Sequence, residues 1–273
     1  MRRFCATSLG RSEMFKRLIG VLPVRDGRVV KSYGYRMWRP AGRLKTALLN
    51  LDRWAADEVF VLDISGRASI DPGVLSDLRA ASVSTPITYG GGMRSVRDAT
   101  AALRAGADRI LIQTLLWSNP GEVSRMADAI GRQAIVVSLP VSGSSDGQLR
   151  VFRRQSGGRS DSLASLDERL AAIGSSPVEE LLVTDVDAEG ARGEFSLDLA
   201  RRVAPLAAAI RKPVIWFGGI DVSSADVLLG MRESAGVAFA NVLLERELAL
   251  REVRESLNSG ITSPARRVES RHD

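Results

Sequence analysis

Short β-branched apolar runs return along this chain with amphipathic stretches between them, and that alternation restricts the fold more than any other feature. An apolar run bounded by turn residues reads as a strand buried on both faces, and strands joined through helices line up in parallel. Eight runs are present: LIGVLPV (18–24), EVFVLDI (58–64), PITYG (86–90), RILIQT (109–114), AIVVSLP (134–140), ELLVTDV (180–186), PVIWFG (213–218) and GVAFAN (236–241). Segments between them, such as VRDATAALRAGA and SADVLLGMRESA, have the spacing of crossover helices. Eight such units in roughly 250 residues are the count and length of a (β/α)8 TIM barrel, an α/β fold, in one domain. A doubly wound sheet is the alternative.

The second half echoes the first, as expected of two half-barrels of four strands. VLDISGRA returns as VTDVDAEGA, with Asp63 matching Asp185 at an offset of 122 (185 − 63). ITYGGGM returns as IWFGGID, with Gly90 set against Gly218 at an offset of 128 (218 − 90), and GADRILIQT returns as SAGVAFAN. Residues 1–13 lie outside the repeat and are expected to be disordered, with Met14 a candidate start. The barrel is expected to span 14–257, and the polar tail 258–273 to be loose. The Gly- and Ser-rich piece Val141–Ser165 reads as either a flexible loop over the active face or a small hairpin.

With 273 residues, 45% of them hydrophobic and 26% charged, the chain can bury a large core. No window is apolar for long enough to span a bilayer, and MRRFCATSLGRSEMF lacks the apolar core of a secretory signal, so a soluble cytoplasmic protein with no membrane partner is expected. Cys5 is the single cysteine and cannot form an internal disulfide. The single histidine, His272, lies in the polar tail, which argues against a histidine base or a histidine-held metal; no metal and no cofactor are expected. Lys and Arg outnumber Asp and Glu by 38 to 32. The sequence reads as having no basic run interleaved with aromatics, so a phosphorylated small molecule is the expected partner and nucleic acid is not.

In a parallel barrel, ligands sit at the carboxyl ends of the strands. Two of those ends are glycine clusters, Gly90-Gly91-Gly92 and Gly218-Gly219. Their backbone N–H groups can approach an anion, and helix amino ends follow, so two facing phosphate sites are expected, completed by Thr114 and Asn241. The competing explanation is that the glycines serve tight turns alone. The acids at strand ends are Asp63, Asp185 and Asp187, with Asp26 and Glu189 in adjoining loops. Each is a candidate acid or base, or a cap for the following loop.

VRDGRVVK, EVFVLDI, YGGGMRSVRDA, GADRILIQT, RQAIVVS, LLVTDVDAEGA and IWFGGI, in this order and spacing, resemble the cyclase subunit of imidazole glycerol phosphate synthase from residue 15 to about 255. The resemblance implies a (β/α)8 barrel whose ligand carries two phosphates, docked through its amino-terminal face to a glutaminase subunit and receiving ammonia through its core. It implies catalytic aspartates ending the first and fifth strands, in motifs similar to CLDVKDGRVVKG and VVAIDAK. Those positions hold Pro23 and Pro140, which carry no ionisable group. General acid-base catalysis contributes about 10²–10⁴ in rate, so cyclase chemistry is expected to be lost.

Other matches are kept. Lys31, in the shared DGRVVK context, is implied to meet a phosphate or an anionic ring substituent. Asp63, Asp108 and Thr114 match the motif. Ser156 and Gly157 resemble a phosphate-contacting Ser-Gly pair, whereas DAEGA stands where the family has DRDGT. Asp26, Asp63 and Asp185 are the residual acids. Arg17, Glu58, Arg109 and Glu180 begin strands one, two, four and six and resemble the family's ammonia gate, with plain strand-start salt bridges as the alternative. The implied function is an ammonia-accepting barrel in a glutamine amidotransferase complex, similar to paralogues that serve sugar amidation in surface-polysaccharide pathways. The alternatives are a working cyclase of histidine biosynthesis and a non-catalytic scaffold that binds a phosphorylated metabolite.

Overall fold

The computed structural model describes residues 15–143, 147–155, 158–244 and 254–255. The two ends expected to be loose, and the Ser156-Gly157 pair, lie outside the described residues. The chain opens with β1 (Arg17–Arg25), followed by a hairpin of β2 (Arg28–Tyr33) and β3 (Met37–Arg43), then α1 (Leu44–Arg53). Next come β4 (Glu58–Asp63), α2 (Pro72–Ala81), β5 (Ile87–Gly90), α3 (Val96–Arg104), β6 (Arg109–Ile112), α4 (Thr114–Ser118) and α5 (Pro120–Ile130). The second half runs β7 (Ile135–Gly143), the strands β8 (Leu149–Gln155) and β9 (Gly158–Ser165), α6 (Leu166–Gly174), β10 (Glu180–Asp185), α7 (Leu197–Ala209), β11 (Val214–Phe217), α8 (Val222–Gly230) and β12 (Ser234–Phe239).

The strands β1, β4, β5, β6, β7, β10, β11 and β12 pair in that order, every pair parallel, and β12 returns to β1. This is a closed (β/α)8 barrel, so no barrel strand is left with an unpaired edge. Side chains alternate across each strand and sort into two cores. One set, including Ile19, Val21, Phe60, Leu111, Val136, Leu182, Ile215 and Ala238, packs inside the barrel. The other, including Leu18, Leu22, Val59, Val61, Tyr89, Val137 and Val183, packs against the helices.

The helices begin where capping chemistry allows. Ser95 accepts from the Asp98 N–H ahead of α3, Ser196 accepts from the Leu199 N–H ahead of α7, and Asp221 forms a reciprocal capping box with Ser224 ahead of α8.

Both additions to the barrel follow the first strand of a half. After β1, Asp26 (φ 48°) and Gly27 (φ 74°) form a two-residue turn that reverses the chain into β2, with Arg25 opposite Arg28. After β7, β8 and β9 form an antiparallel pair, so of the two readings of Val141–Ser165 the hairpin is correct. β1 and β7 therefore run past the positions read as their ends.

The repeat needs one correction. A Cβ on Gly91 would lie 2.3 Å from the Asp63 carbonyl oxygen, and one on Gly218 would lie 2.5 Å from that of Asp185. Gly91 therefore answers Gly218 and Gly92 answers Gly219, an offset of 127 (218 − 91). Gly90 is an extended strand residue equivalent to Phe217, and Tyr89 is equivalent to Trp216. The extra glycine in the first cluster concealed this, because three glycines align with two in either of two ways.

The positive φ values of Gly218 (100°) and Gly219 (71°), with backbone oxygens 2.5 and 2.7 Å from their would-be Cβ atoms, leave no room for a side chain. Gly27 has the same sign of φ with open space around it. Gly218→Ala is expected to lower unfolding free energy by roughly 2 kcal/mol or more and Gly27→Ala by about 1 kcal/mol, measured as the shift in urea midpoint at constant slope.

Candidate functional site

The amino-terminal end of the barrel is closed by charge. The inward alternation of β1, β4, β6 and β10 begins with Arg17, Glu58, Arg109 and Glu180, so the four side chains converge on one level. Arg17 donates from Nη1 to Glu58 Oε2 at 2.7 Å and from Nη2 to Glu180 at 2.6 and 2.7 Å. Arg109 Nη1 donates to Glu180 Oε2 at 2.7 Å and lies 3.6 Å from Glu58 Oε1. Thr88 adds its hydroxyl to Glu58. Cation and anion thus alternate around the ring, and each charge has two opposite neighbours.

Burial favours neutral Glu58, whose side chain is 3% exposed, and holds its carboxyl above the usual range against the pull of Arg17 and Arg109. Burial acts on Glu180 in the same sense, but the two guanidiniums outweigh it and hold that carboxyl below the usual range.

At the opposite end stand the prolines. Pro23 follows Ile19 and Val21 on the inward register of β1 and lies opposite Leu62; Pro140 follows Val136 on β7 and lies opposite Thr184. Both are buried within their strands. The sheet tolerates them for one shared reason. The Val24 carbonyl accepts from the Ile64 N–H on the β4 side, so Pro23 turns its nitrogen toward β12, whose pairing stops at Gly20 opposite Phe239. The Val141 carbonyl accepts from Val186 on the β10 side, so Pro140 faces β6, whose pairing stops at Val137. Neither position owes a bond to the parallel ladder, and the hairpin strands β2 and β8 pair on that side only from Val24 and Val141 onward.

The remaining acids do not meet at this mouth. Asp63 and Asp185 fall on the outward register. Asp63 Oδ1 accepts from the Ser65 N–H at 2.9 Å, and Asp185 accepts from the N–H groups of Asp187 (3.1 Å), Ala188 (3.3 Å) and Ser196 (2.9 Å). They cap the loops behind the strands. Asp187 binds the Ser142 hydroxyl and the Gly143 N–H, Asp108 caps the start of β5, and Asp26 sits on the hairpin turn with its side chain 71% exposed.

At the second glycine turn a cavity of about 60 Å³ is bounded by the 189–192 loop, Gly218-Gly219 and Ala240-Asn241. Asn241 Nδ2 donates to the Ser32 carbonyl at 2.8 Å, and its buried Oδ1 has no partner among the described residues. Buried Glu189, its carboxyl raised by desolvation, accepts from the Tyr35 N–H at 2.9 Å, so the first hairpin is fastened over this cradle. In the first half, Thr114 is exposed at the first position of α4, Gly91 and Gly92 form the turn, and Gly90 belongs to the strand. Lys31 lies on β2 opposite Arg39.

Sequence reasoning missed the crown. Tyr35 of the first hairpin meets Phe152 of the second, with ring centroids 5.9 Å apart, so the two hairpins touch across the mouth. The Arg25 guanidinium carbon lies over Trp38, 4.1 Å from the ring centre, and that of Arg39 approaches Tyr33 at 5.8 Å. The reading that no basic stretch carries interleaved aromatics is therefore wrong. RVVKSYGYRMWRPAGR (28–43) has five cations and three aromatics with no acid, which the Asp-Gly turn signal would have exposed as a hairpin.

Two comparisons agree with this architecture. The family model described as "Histidine biosynthesis protein" matches residues 17–249. A curated relative, imidazole glycerol phosphate synthase subunit HisF of Salinispora tropica, is 33% identical over 249 residues, covering 88% of this chain and 95% of that protein. The barrel, its half-repeat and these matches together make the chain a member of the histidine biosynthesis protein family, with a HisF-like barrel.

Proposed function

We propose that this HisF-like barrel is the ammonia-accepting subunit of a glutamine amidotransferase complex, that it binds a phosphorylated ligand at its mouth, and that it does not close an imidazole ring. One observation carries the reading: at symmetry-related strand ends, on the inward register, both positions that match the family's catalytic aspartates are proline. A proton cannot be taken or given there, and the strand-end carboxylates Asp63 and Asp185 are engaged in loop caps.

The amino-terminal ring supports the other half of the proposal. Ammonia is small and neutral, so an entrance made of mutually satisfied charges followed by an apolar interior presents little polar competition along the way. The interior above the ring is lined mainly by Ile19, Val21, Phe60, Leu111, Val136 and Leu182. Under this proposal the ligand's phosphates are received at the two turn sites, Gly91-Gly92 with Thr114 and Gly218-Gly219 with Asn241, and Lys31 of the first hairpin meets an anionic group of the ligand. In this reading the ammonia passes to a separate acceptor enzyme, and sugar amidation for surface polysaccharide is the destination suggested by the resemblance. A working cyclase of histidine biosynthesis is the second reading, favoured by the 33% identity that extends over 95% of a named synthase subunit.

Mixing the full chain with a HisH-type glutaminase subunit from the same organism tests the complex. A stable one-to-one assembly with stimulated glutamine hydrolysis is expected in analytical ultracentrifugation and activity assays; absence of any association would refute the amidotransferase assignment. Arg17→Met leaves two buried carboxylates with one guanidinium, so a loss of about 3–5 kcal/mol in unfolding free energy is expected, together with leakage of ammonia to solvent during glutamine hydrolysis.

Glu180 also gives a pH signature. Its folded-state pKa lies below the unfolded value, so its contribution to stability is complete above the unfolded carboxylate range and is lost as pH falls through the folded value. Glu180→Gln is expected to be less stable than wild type near neutrality and to show a shallower decline in stability between about pH 5 and pH 3. Parallel pH-stability curves would contradict this.

A further inference from the structure

We propose that Arg25 is an anion-anchoring residue at the mouth of the barrel, receiving a phosphate or carboxylate beneath the first hairpin; this rests on the reading that the mouth takes a phosphorylated ligand. Arg25 is the last residue of β1 and lies two positions beyond Pro23 on the same register, where the strand leaves the barrel for the Asp-Gly turn. Its guanidinium carbon is held 4.1 Å from the centre of the Trp38 ring, and this cation–π contact restrains the side chain.

One of its donors is nevertheless unspent. Nη1 is buried and has no hydrogen-bond partner among the described residues. The nearest carboxylate, Asp26, approaches Nε at 3.6 Å, which is beyond hydrogen-bond distance, and it is shared with Arg67 Nη2, also at 3.6 Å. A buried guanidinium nitrogen without an acceptor is costly in isolation, and an anion oxygen in the plane of the fork removes that cost with a charge-assisted bond. The surrounding charge has the matching sign: residues 28–43 contribute Arg28, Lys31, Arg36, Arg39 and Arg43 and no Asp or Glu.

Calorimetric titration at low ionic strength with inorganic pyrophosphate, and separately with malonate, tests the assignment. Wild type is expected to bind at least one of them saturably, with the preferred anion identifying phosphate or carboxylate as the group received. Arg25→Met is expected to weaken that binding by roughly tenfold or more, Arg25→Lys to fall between, and the melting temperature of both free variants to stay near that of wild type. Equal affinity in wild type and Arg25→Met would overturn the role of Arg25 while leaving phosphate binding at the glycine turns standing. No saturable binding of either anion by wild type would overturn both. If Arg25→Met fails to fold, the same comparison is read from Arg25→Lys, where unchanged affinity and unchanged preference between the two anions would overturn the proposal.

Discussion

Closure of eight parallel strands into one hydrogen-bonded ring is the constraint on which the rest of this protein depends. Once β12 pairs with β1, every strand is fixed in tilt and register, and period-two alternation assigns each residue to the axis or to the helices. That assignment separates side chains that look alike in sequence. Glu58 and Asp63 lie at the two ends of β4, yet one faces the axis within an ion-paired ring and the other turns outward to cap a loop. Glu180 and Asp185 repeat the contrast on β10.

The same geometry explains why proline occurs inside two buried strands. A proline in a central strand ordinarily forfeits a ladder bond. Here the parallel neighbours on the nitrogen side have already ended, at Phe239 for Pro23 and at Ile112 for Pro140, and the hairpin strands that follow on that side pair only from Val24 and Val141 onward, so proline interrupts no parallel ladder and places no titratable group on the inward position. The glycines are accounted for separately. Gly91 and Gly218 sit against the backbone of the preceding strand end, where a Cβ would collide. Tight approach is therefore required by the fold.

Much of this was legible in the sequence, because a strand buried on both faces has an unmistakable apolar run and the ring residues open those runs, Glu58, Arg109 and Glu180 at the first position and Arg17 immediately before it. The eight strands were read to within about three residues, and Arg17, Glu58, Arg109 and Glu180 were read together although they span much of the chain. What escaped was non-local or ambiguous. β3 is exposed along nearly its whole length, so it has no apolar run to announce it, and only the Asp26-Gly27 dipeptide signalled a hairpin. The contact between Tyr35 and Phe152 joins residues from different halves and has no sequence periodicity. The half-repeat was misaligned by one residue at Gly90 because homopolymeric glycine carries no register, whereas the colliding Cβ positions do.

The central claim is that the mouth has given up proton transfer while the barrel beneath it is retained. Steady-state formation of imidazole glycerol phosphate from the family's open-chain substrate, with ammonium salt in excess so that no glutaminase is required, tests this most directly. The account predicts no product above the reaction without protein. Turnover at roughly 1 s⁻¹ or faster, within the ordinary range of enzymes, would contradict it and would mean that some other group on this barrel moves the proton.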